Sequence, residues 1–218
     1  MSATAQELKD RATTDFEAGK KAFHDAMTKA QSQIDVANAE VNKLRTDLKT
    51  QSDEVKSKTL ARVDELTKNL ETARREQQAE IEARLKELHK DIESTNADLK
   101  HATAEGKTAA EATAKALRQE YDSARHVLTA SLDGELAELK ALIGMAADVA
   151  AGKKAAATAS VQAKLADLRA KHEAAQKKLH ALKQANVAAF GELHRGVRSA
   201  IGEVTAALQR ARKDIAGA

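Results

Sequence analysis

Apolar positions recur at helical spacing along most of this chain. Between Val41 and Leu99, sixteen steps of three or four residues average 3.6 residues each. That is the period of an unstrained α-helix, whereas a strict heptad averages 3.5 and imposes a left-handed supercoil. The pattern therefore predicts nearly straight helices that pack side by side. The stripe consists of Val41, Leu44, Leu48, Gln51, Val55, Thr59, Val63, Leu66, Leu70, Ala73, Gln77, Ile81, Leu85, Leu88, Ile92, Thr95 and Leu99.

Three further segments repeat this pattern. A second long stripe runs from Val161 to Ile215 and passes through His172, Asn186 and Phe190 without losing phase. A middle run extends from Leu117 to Ile143, and an amphipathic lead-in from Leu8 to Ile34. Because a helix with one apolar face needs a partner to cover it, we expect these segments to pack on one another or on a second chain.

Glycines mark the candidate breaks between the predicted helices. We place turns at Gly106 and Gly152, and we expect the helix to continue through Gly134, because the leucines around it stay in phase. The predicted helices cover residues 4–104, 108–150 and 156–215. The predicted fold is all-α, with long helices in an elongated antiparallel hairpin or coiled-coil bundle.

This organisation predicts one elongated domain with three parts. Residues 1–104 form the lead-in and a long acidic-leaning helix, residues 108–150 an Ala/Leu-rich middle helix, and residues 156–218 a basic helix that folds back.

The composition fits long helices better than a thick globular core. There is no proline, 32% of residues are charged, and the aromatic residues are three Phe and one Tyr. Proline breaks helices, and aromatic side chains usually fill large cores. The chain contains no cysteine, so we expect neither disulfides nor thiolate sites. No apolar stretch approaches the length of a membrane span, and the N-terminus lacks the apolar core of a signal peptide. We expect a cytoplasmic protein.

Charge is distributed unevenly along the chain. From residue 150 onward there are 13 basic and 5 acidic residues, whereas the preceding part holds 23 basic and 28 acidic residues. The basic part could pair with the acidic part, or it could contact a polyanion such as nucleic acid or anionic lipid. The candidate polyanion contacts are Lys153, Lys154, Lys177, Lys178, Arg195, Arg198, Arg210, Arg212 and Lys213.

The C-terminal segment resembles a group of bacterial proteins. Residues 168–179 read LRAKHEAAQKKL and residues 188–197 read AAFGELHRGV. About the last 55 residues resemble short bacterial coiled-coil proteins, apolipoprotein-like and stress-associated, whose chains read LRAKxEEAxxKLxxL and then AWxxLKxGVxxAWxxL. Phe190 and Ile201 stand at the two Trp positions, and His194 stands where Lys is usual. The resemblance implies a cytoplasmic helical hairpin without a catalytic residue.

Residues that could carry out chemistry do not form a recognisable motif. No two of the seven histidines have the i, i+4 spacing of a helical zinc site with a nearby carboxylate base. His172 falls on the apolar stripe, where polar residues commonly set register or oligomeric state. Gly106-Lys107-Thr108 ends like a phosphate-binding loop, but His101 occupies the place of its first glycine. We expect neither an enzyme nor a cofactor, metal or small-molecule substrate.

The favoured hypothesis is a structural or scaffolding coiled-coil protein that forms homo-oligomers. Burial of its apolar seams would supply the affinity, at roughly 1.5–3 kcal/mol for each fully buried side chain. The predicted self-association seam consists of Val63, Leu66, Leu70, Ile81, Leu85, Leu88, Ile92, Leu165, Leu168, Leu179, Leu182, Leu193, Val197, Ile201 and Leu208.

Two alternatives remain open at the level of the sequence. Amphipathic helices could bind a membrane, a lipid or a polymer granule reversibly, as apolipoproteins and phasins do, with Phe16, Phe23 and Met27 as candidate lipid contacts. The basic C-terminal part could instead bind DNA as a nucleoid-associated protein, although it lacks stacking aromatic residues and a recognition motif.

Overall fold

The protein is an all-α molecule, as predicted. The computed structural model describes residue 17, residues 20–43 except 30, 33, 37 and 41, and residues 53–101, 104–152 and 159–217. Within these ranges every residue is helical except Ala185 and Asn186, and there is no strand. From Asp53 onward the helices are α1 (Asp53–His101), α2 (Ala104–Gly152), α3 (Ala159–Gln184) and α4 (Val187–Gly217).

The glycines behave partly as the sequence predicts. Helix α2 runs unbroken through Gly134, in agreement with the prediction. Its range closes at Gly152, and residues 153–158 lie outside the described part of the chain, so the turn predicted there stays a prediction. Gly106, predicted as a turn, lies instead inside the first turns of α2. One glycine costs a helix only about 1 kcal/mol relative to alanine, so the packing of neighbouring residues outweighs it.

The predicted continuous helix over residues 156–215 is interrupted once. Ala185 and Asn186 separate α3 from α4, and the Ala185 N–H donates to the carbonyl of Leu182 at 3.1 Å. The Asn186 side-chain oxygen then accepts the N–H of Ala189 at 2.9 Å, which is the N-cap interaction. The residue that the apolar stripe passes through is therefore the cap that starts a new helix.

The chain divides into two compact units, residues 1–117 and residues 118–218. In the first unit, Ile34 joins Leu66 and Leu70 of α1 in one apolar cluster. Arg74 of α1 donates to the side-chain oxygen of Asn38 at 3.5 Å. In a single straight helix Ile34 and Leu66 would lie about 48 Å apart, so the predicted helix over residues 4–104 is wrong. The residues around Ile34 pack on α1, so the apolar face of α1 has a partner within the chain.

The second unit is a bundle of three helical segments, here called the C-terminal bundle: residues 118–152 of α2, together with α3 and α4. Helices α3 and α4 pack against each other, and an ion pair between Lys164 and Asp214, near their far ends, shows that they are antiparallel. Contacts from α3 to α2 pair His172 with Leu136 and Lys183 with Asp133. Later residues of α3 thus meet earlier residues of α2, and this pair is also antiparallel.

The core of the C-terminal bundle consists almost entirely of aliphatic side chains. Each segment contributes residues that are at most 1% exposed, spaced four, seven or fourteen residues apart. This spacing places them on one face of each helix. The larger of these side chains are Leu128, Leu132, Leu136, Leu168, Leu182, Val197 and Val204.

Candidate functional site

The predicted self-association seam lies inside the single chain. Every seam residue whose side chain is described is buried, apart from half-buried Leu193, and the side chain of Val63 falls outside the described part. Only Val36 and Val187 are large apolar residues that remain exposed among the described side chains. A second copy can therefore reach the seam only by replacing a helix that already covers it.

A cluster around Arg125 of α2 closes the end of the C-terminal bundle at which α3 meets α4. The guanidinium of Arg125 donates through Nη2 to the carbonyl oxygen of Ala185. It also lies 4.6 Å from the ring centroid of Phe190, the first fully covered residue of α4. Arginine suits this place because its planar cation can stack on a ring while its N–H groups donate sideways. The side chain thus links α2 to the break between α3 and α4 and to the first turn of α4.

Two rings extend this cluster along the helices. Tyr121, one turn before Arg125, has its ring centroid 5.9 Å from the guanidinium. His194, one turn after Phe190, stacks on the phenyl ring with a centroid separation of 6.4 Å and an interplanar angle of 6°. Burial raises the pKa of the Tyr121 phenol, an effect that the positive charge of Arg125 partly offsets. The phenol therefore stays neutral at physiological pH.

His172 occupies the polar place in the seam that the sequence predicts for it. Its side chain is 5% exposed, and its Nε2 lies 2.8 Å from the carbonyl oxygen of Leu136. Because a carbonyl oxygen only accepts, Nε2 carries the proton and donates. A register shift of one residue would separate this buried donor from its acceptor, so His172 helps to fix how α3 pairs with α2.

The candidate polyanion contacts lie on the surface of the C-terminal bundle. Lys177, Lys178, Arg195, Arg210 and Lys213 are exposed, and Arg198 and Arg212 are half-buried. Lys153 and Lys154 lie outside the described residues. Residues 159–217 carry 11 basic and 5 acidic residues, so the surface keeps a positive balance even though Asp214 pairs with Lys164 and Asp167 with Lys171.

The candidate lipid contacts are not displayed on the surface. Phe23 is 7% exposed and Met27 is 6% exposed, and Phe16 lies outside the described residues. Contact between Phe23 or Met27 and lipid would therefore require the N-terminal helical segment to leave its present packing.

Sequence reasoning missed the Arg125 cluster. Arg125 and Ala185 are 60 positions apart, and no motif links them. The one local signal was Asn186, since Asn is a favoured N-cap residue, but the unbroken apolar stripe pointed to a continuous helix.

Other kinds of site have no counterpart in the described part of the chain. There, no three His, Asp or Glu side chains are placed to share a metal ion. None of the described helices has both the length and the apolar character needed to cross a bilayer. Comparison with protein-family models, with curated proteins and with solved structures finds no match to this chain.

Proposed function

We propose that this chain is a non-enzymatic structural protein that associates with further copies of itself through its helical seams. The observation that carries the proposal is the core of the C-terminal bundle, where three separate helices meet on apolar faces. His172 and the Lys164–Asp214 ion pair fix the register of those helices. A helix from a second copy presents the same face in the same register, so it can take the place of its counterpart.

Burial of the seam stabilises the helix contacts in the single chain and between copies alike. Each fully covered leucine or valine contributes roughly 1.5–3 kcal/mol relative to its exposed state. Because these residues are already covered within one chain, association between copies exchanges one helix contact for an equivalent one. We therefore expect association that depends on protein concentration and equilibrates slowly, since helices must separate before they pair again.

Solution mass measured over a range of concentrations tests this function directly. Light scattering after size exclusion should give multiples of the chain mass of 23.4 kDa as the concentration rises from micromolar to hundreds of micromolar. The thermal midpoint should rise over the same range, because mass action stabilises an associating fold. A constant mass of one chain, together with a midpoint independent of concentration, would rule out self-association.

A seam variant with a matched surface control identifies the surface involved. Val197 and Val204 of α4 are both 0% exposed, whereas Arg195 and Arg210 are exposed on the same helix. Changing Val197 and Val204 to Asp should abolish higher mass and reduce helicity in circular dichroism, because buried unpaired carboxylates are strongly unfavourable. Changing Arg195 and Arg210 to Asp should leave both properties nearly as they are. Higher mass that survives the seam change would place the contact elsewhere.

A second candidate function is reversible binding to a lipid or granule surface. Helix α4 supports it, because Phe190, Val197, Ile201, Val204 and Leu208 form one continuous apolar face that could turn from the bundle core to a membrane. The resemblance of this segment to apolipoprotein-like proteins points the same way.

Vesicle flotation separates the two functions. With surface binding, the chain should float with phosphatidylglycerol vesicles, more weakly with phosphatidylcholine vesicles, and less after Phe23→Ala. Helicity should be retained or should rise on the vesicles. A chain that stays at the bottom of the gradient with both lipids would exclude this candidate.

A further inference from the structure

The geometry points to Ala185 and Asn186 as a hinge whose opening joins α3 and α4 into one continuous helix that pairs with a second copy of this chain. In the paired form, α4 of each copy leaves its own C-terminal bundle. It packs in the bundle of the other copy, in the place of that copy's α4. This inference rests on the proposed self-association and specifies the surface and the partner.

The sequence around the hinge is compatible with an unbroken helix. Apolar positions Leu179, Leu182, Phe190 and Leu193 lie three, eight and three residues apart, so the same helical face continues across Asn186. The six residues from Lys183 to Ala188 include neither glycine nor proline. Asn186 itself lowers helix propensity only slightly compared with a proline. The break is therefore set by specific contacts and not by a residue that forbids a helix.

Several of the contacts that hold the hinge closed are close to solvent. The contacts at the hinge include the Asn186 cap on the Ala189 N–H, the hydrogen bond of Arg125 to Ala185 with its stacking on Phe190, and the ion pair of Lys183 with Asp133. Asn186 is exposed, and the Lys183 and Asp133 side chains are 41% and 59% exposed. Ion pairs with this exposure contribute little. Opening the hinge therefore sacrifices mainly the cap and the Arg125 contact.

Nearly all other contacts of the bundle are regained in the exchanged pair. The Lys164–Asp214 ion pair and the core around Val197 and Val204 re-form between copies, because the incoming α4 is chemically identical to the departed one. Exchange of identical elements is for this reason a low-cost route to a dimer. A second copy is the one partner that matches the vacated face side chain for side chain.

Two substitutions at the hinge should shift its equilibrium in opposite directions. Val187 is 38% exposed and is the first residue of α4, a position where proline is well accepted, whereas inside a continuous helix proline is strongly unfavourable. Val187→Pro should lower the dimerisation constant at least about 100-fold. Asn186→Ala removes the cap and favours the helix, so it should raise that constant at least about fivefold.

An intrachain distance reports the hinge independently of mass. The chain contains no cysteine, so Ala163→Cys and Lys213→Cys, both at exposed positions beside the Lys164–Asp214 pair, provide unique sites for spin labels. In the closed form the labels are neighbours, whereas in a continuous helix they are about 75 Å apart. The doubly labelled chain is diluted into excess unlabelled chain, so that only distances within one chain contribute.

The expected result is a short distance in the monomer fraction and a long one in the dimer fraction. Asn186→Ala should increase the long-distance population, and Val187→Pro should abolish it while leaving the monomer helical by circular dichroism. A dimer that keeps the short intrachain distance, or Val187→Pro associating like the unchanged chain, would overturn the hinge while self-association stands.

If the unchanged chain is always monomeric, the proposed function fails. The intrachain label distance in the Asn186→Ala variant then tests the hinge. A population with the long distance supports the hinge, and a short distance without any long one refutes it.

Discussion

Arg125 shows how one side chain can determine the geometry of a helical bundle. It belongs to α2, yet it donates to the backbone of Ala185 and stacks on Phe190 of α4. Its side chain is 17% exposed, so these contacts are partly shielded from water. A charged group in such a place loses hydration, a loss that the Nη2 hydrogen bond and the stacking on Phe190 offset. Arg125 therefore helps to fix where α4 begins relative to α2, and it also stabilises this end of the bundle.

Replacing Arg125 with Lys should destabilise the chain although the charge is kept. Lysine lacks the planar cation that stacks on Phe190, so we expect a loss of about 1–2 kcal/mol in the free energy of unfolding. Urea denaturation followed by circular dichroism measures this. Arg75→Lys is the matched control, because Arg75 is 68% exposed and pairs loosely with Glu71; it should change stability by less than about 0.5 kcal/mol. Equal effects of the two changes would contradict the role given to Arg125.

Tyr121 reports on the same cluster through its titration. It is the one tyrosine of a chain without tryptophan, so the tyrosinate absorbance belongs to this residue alone. Because burial raises its pKa above the ordinary value of about 10, its contribution to stability is complete below pH 10. That contribution is lost as pH rises through the folded-state pKa. The absorbance midpoint should lie above 10 in the native chain and near 10 in denaturant. Identical midpoints would show that Tyr121 is not buried.

At the scale of the element, helix continuity depends on neighbouring contacts more than on composition. Helix α2 tolerates Gly134 and Gly144 and spans 49 residues, whereas the segment without glycine or proline at Ala185 and Asn186 breaks. Intrinsic propensities differ by less than about 1 kcal/mol per residue, so a few tertiary contacts reverse them.

Gly134 gives a direct test of that balance. A Cβ atom placed on it meets no other atom within 4 Å, and the position is exposed and helical. Gly134→Ala should therefore increase the free energy of unfolding by about 0.5–1 kcal/mol, since alanine restricts the unfolded chain and favours the helix. Ala130→Gly, four residues earlier at an exposed position of α2, should lower it by a similar amount. Thermal denaturation of both variants measures these changes in stability. A lower free energy of unfolding for Gly134→Ala would refute the argument.

These elements also show what a sequence can and cannot predict here. The apolar stripes correctly predicted the buried faces, from Leu66 on α1 to Ile215 on α4, because helical periodicity is a local property. The interruption at Asn186 was not predictable from the stripe, since both the helix and the hairpin keep the same phase. Arg125 contacts this break, and only folding of the chain brings it close. The packing of Ile34 on α1 was missed for the same reason.

At the scale of the whole molecule, the chain consists of two compact units. The first contains the cluster of Ile34, Leu66 and Leu70, and the second contains the C-terminal bundle. The boundary lies between Leu117 and Arg118, which is inside helix α2 and not in a loop. Boundaries between compact units usually fall in exposed linkers, whereas this one falls between two helical residues.

This uninterrupted helix has a consequence for how backbone amides exchange with solvent deuterium. When one unit opens, α2 unwinds from that side residue by residue until packing in the other unit arrests it. Protection factors of the amides around residues 110–125 should therefore change gradually from the level of one unit to that of the other. Hydrogen exchange resolved to single residues by NMR measures this profile. An abrupt change between Leu117 and Arg118 would mean that the two units lose structure independently, despite the helix that they share.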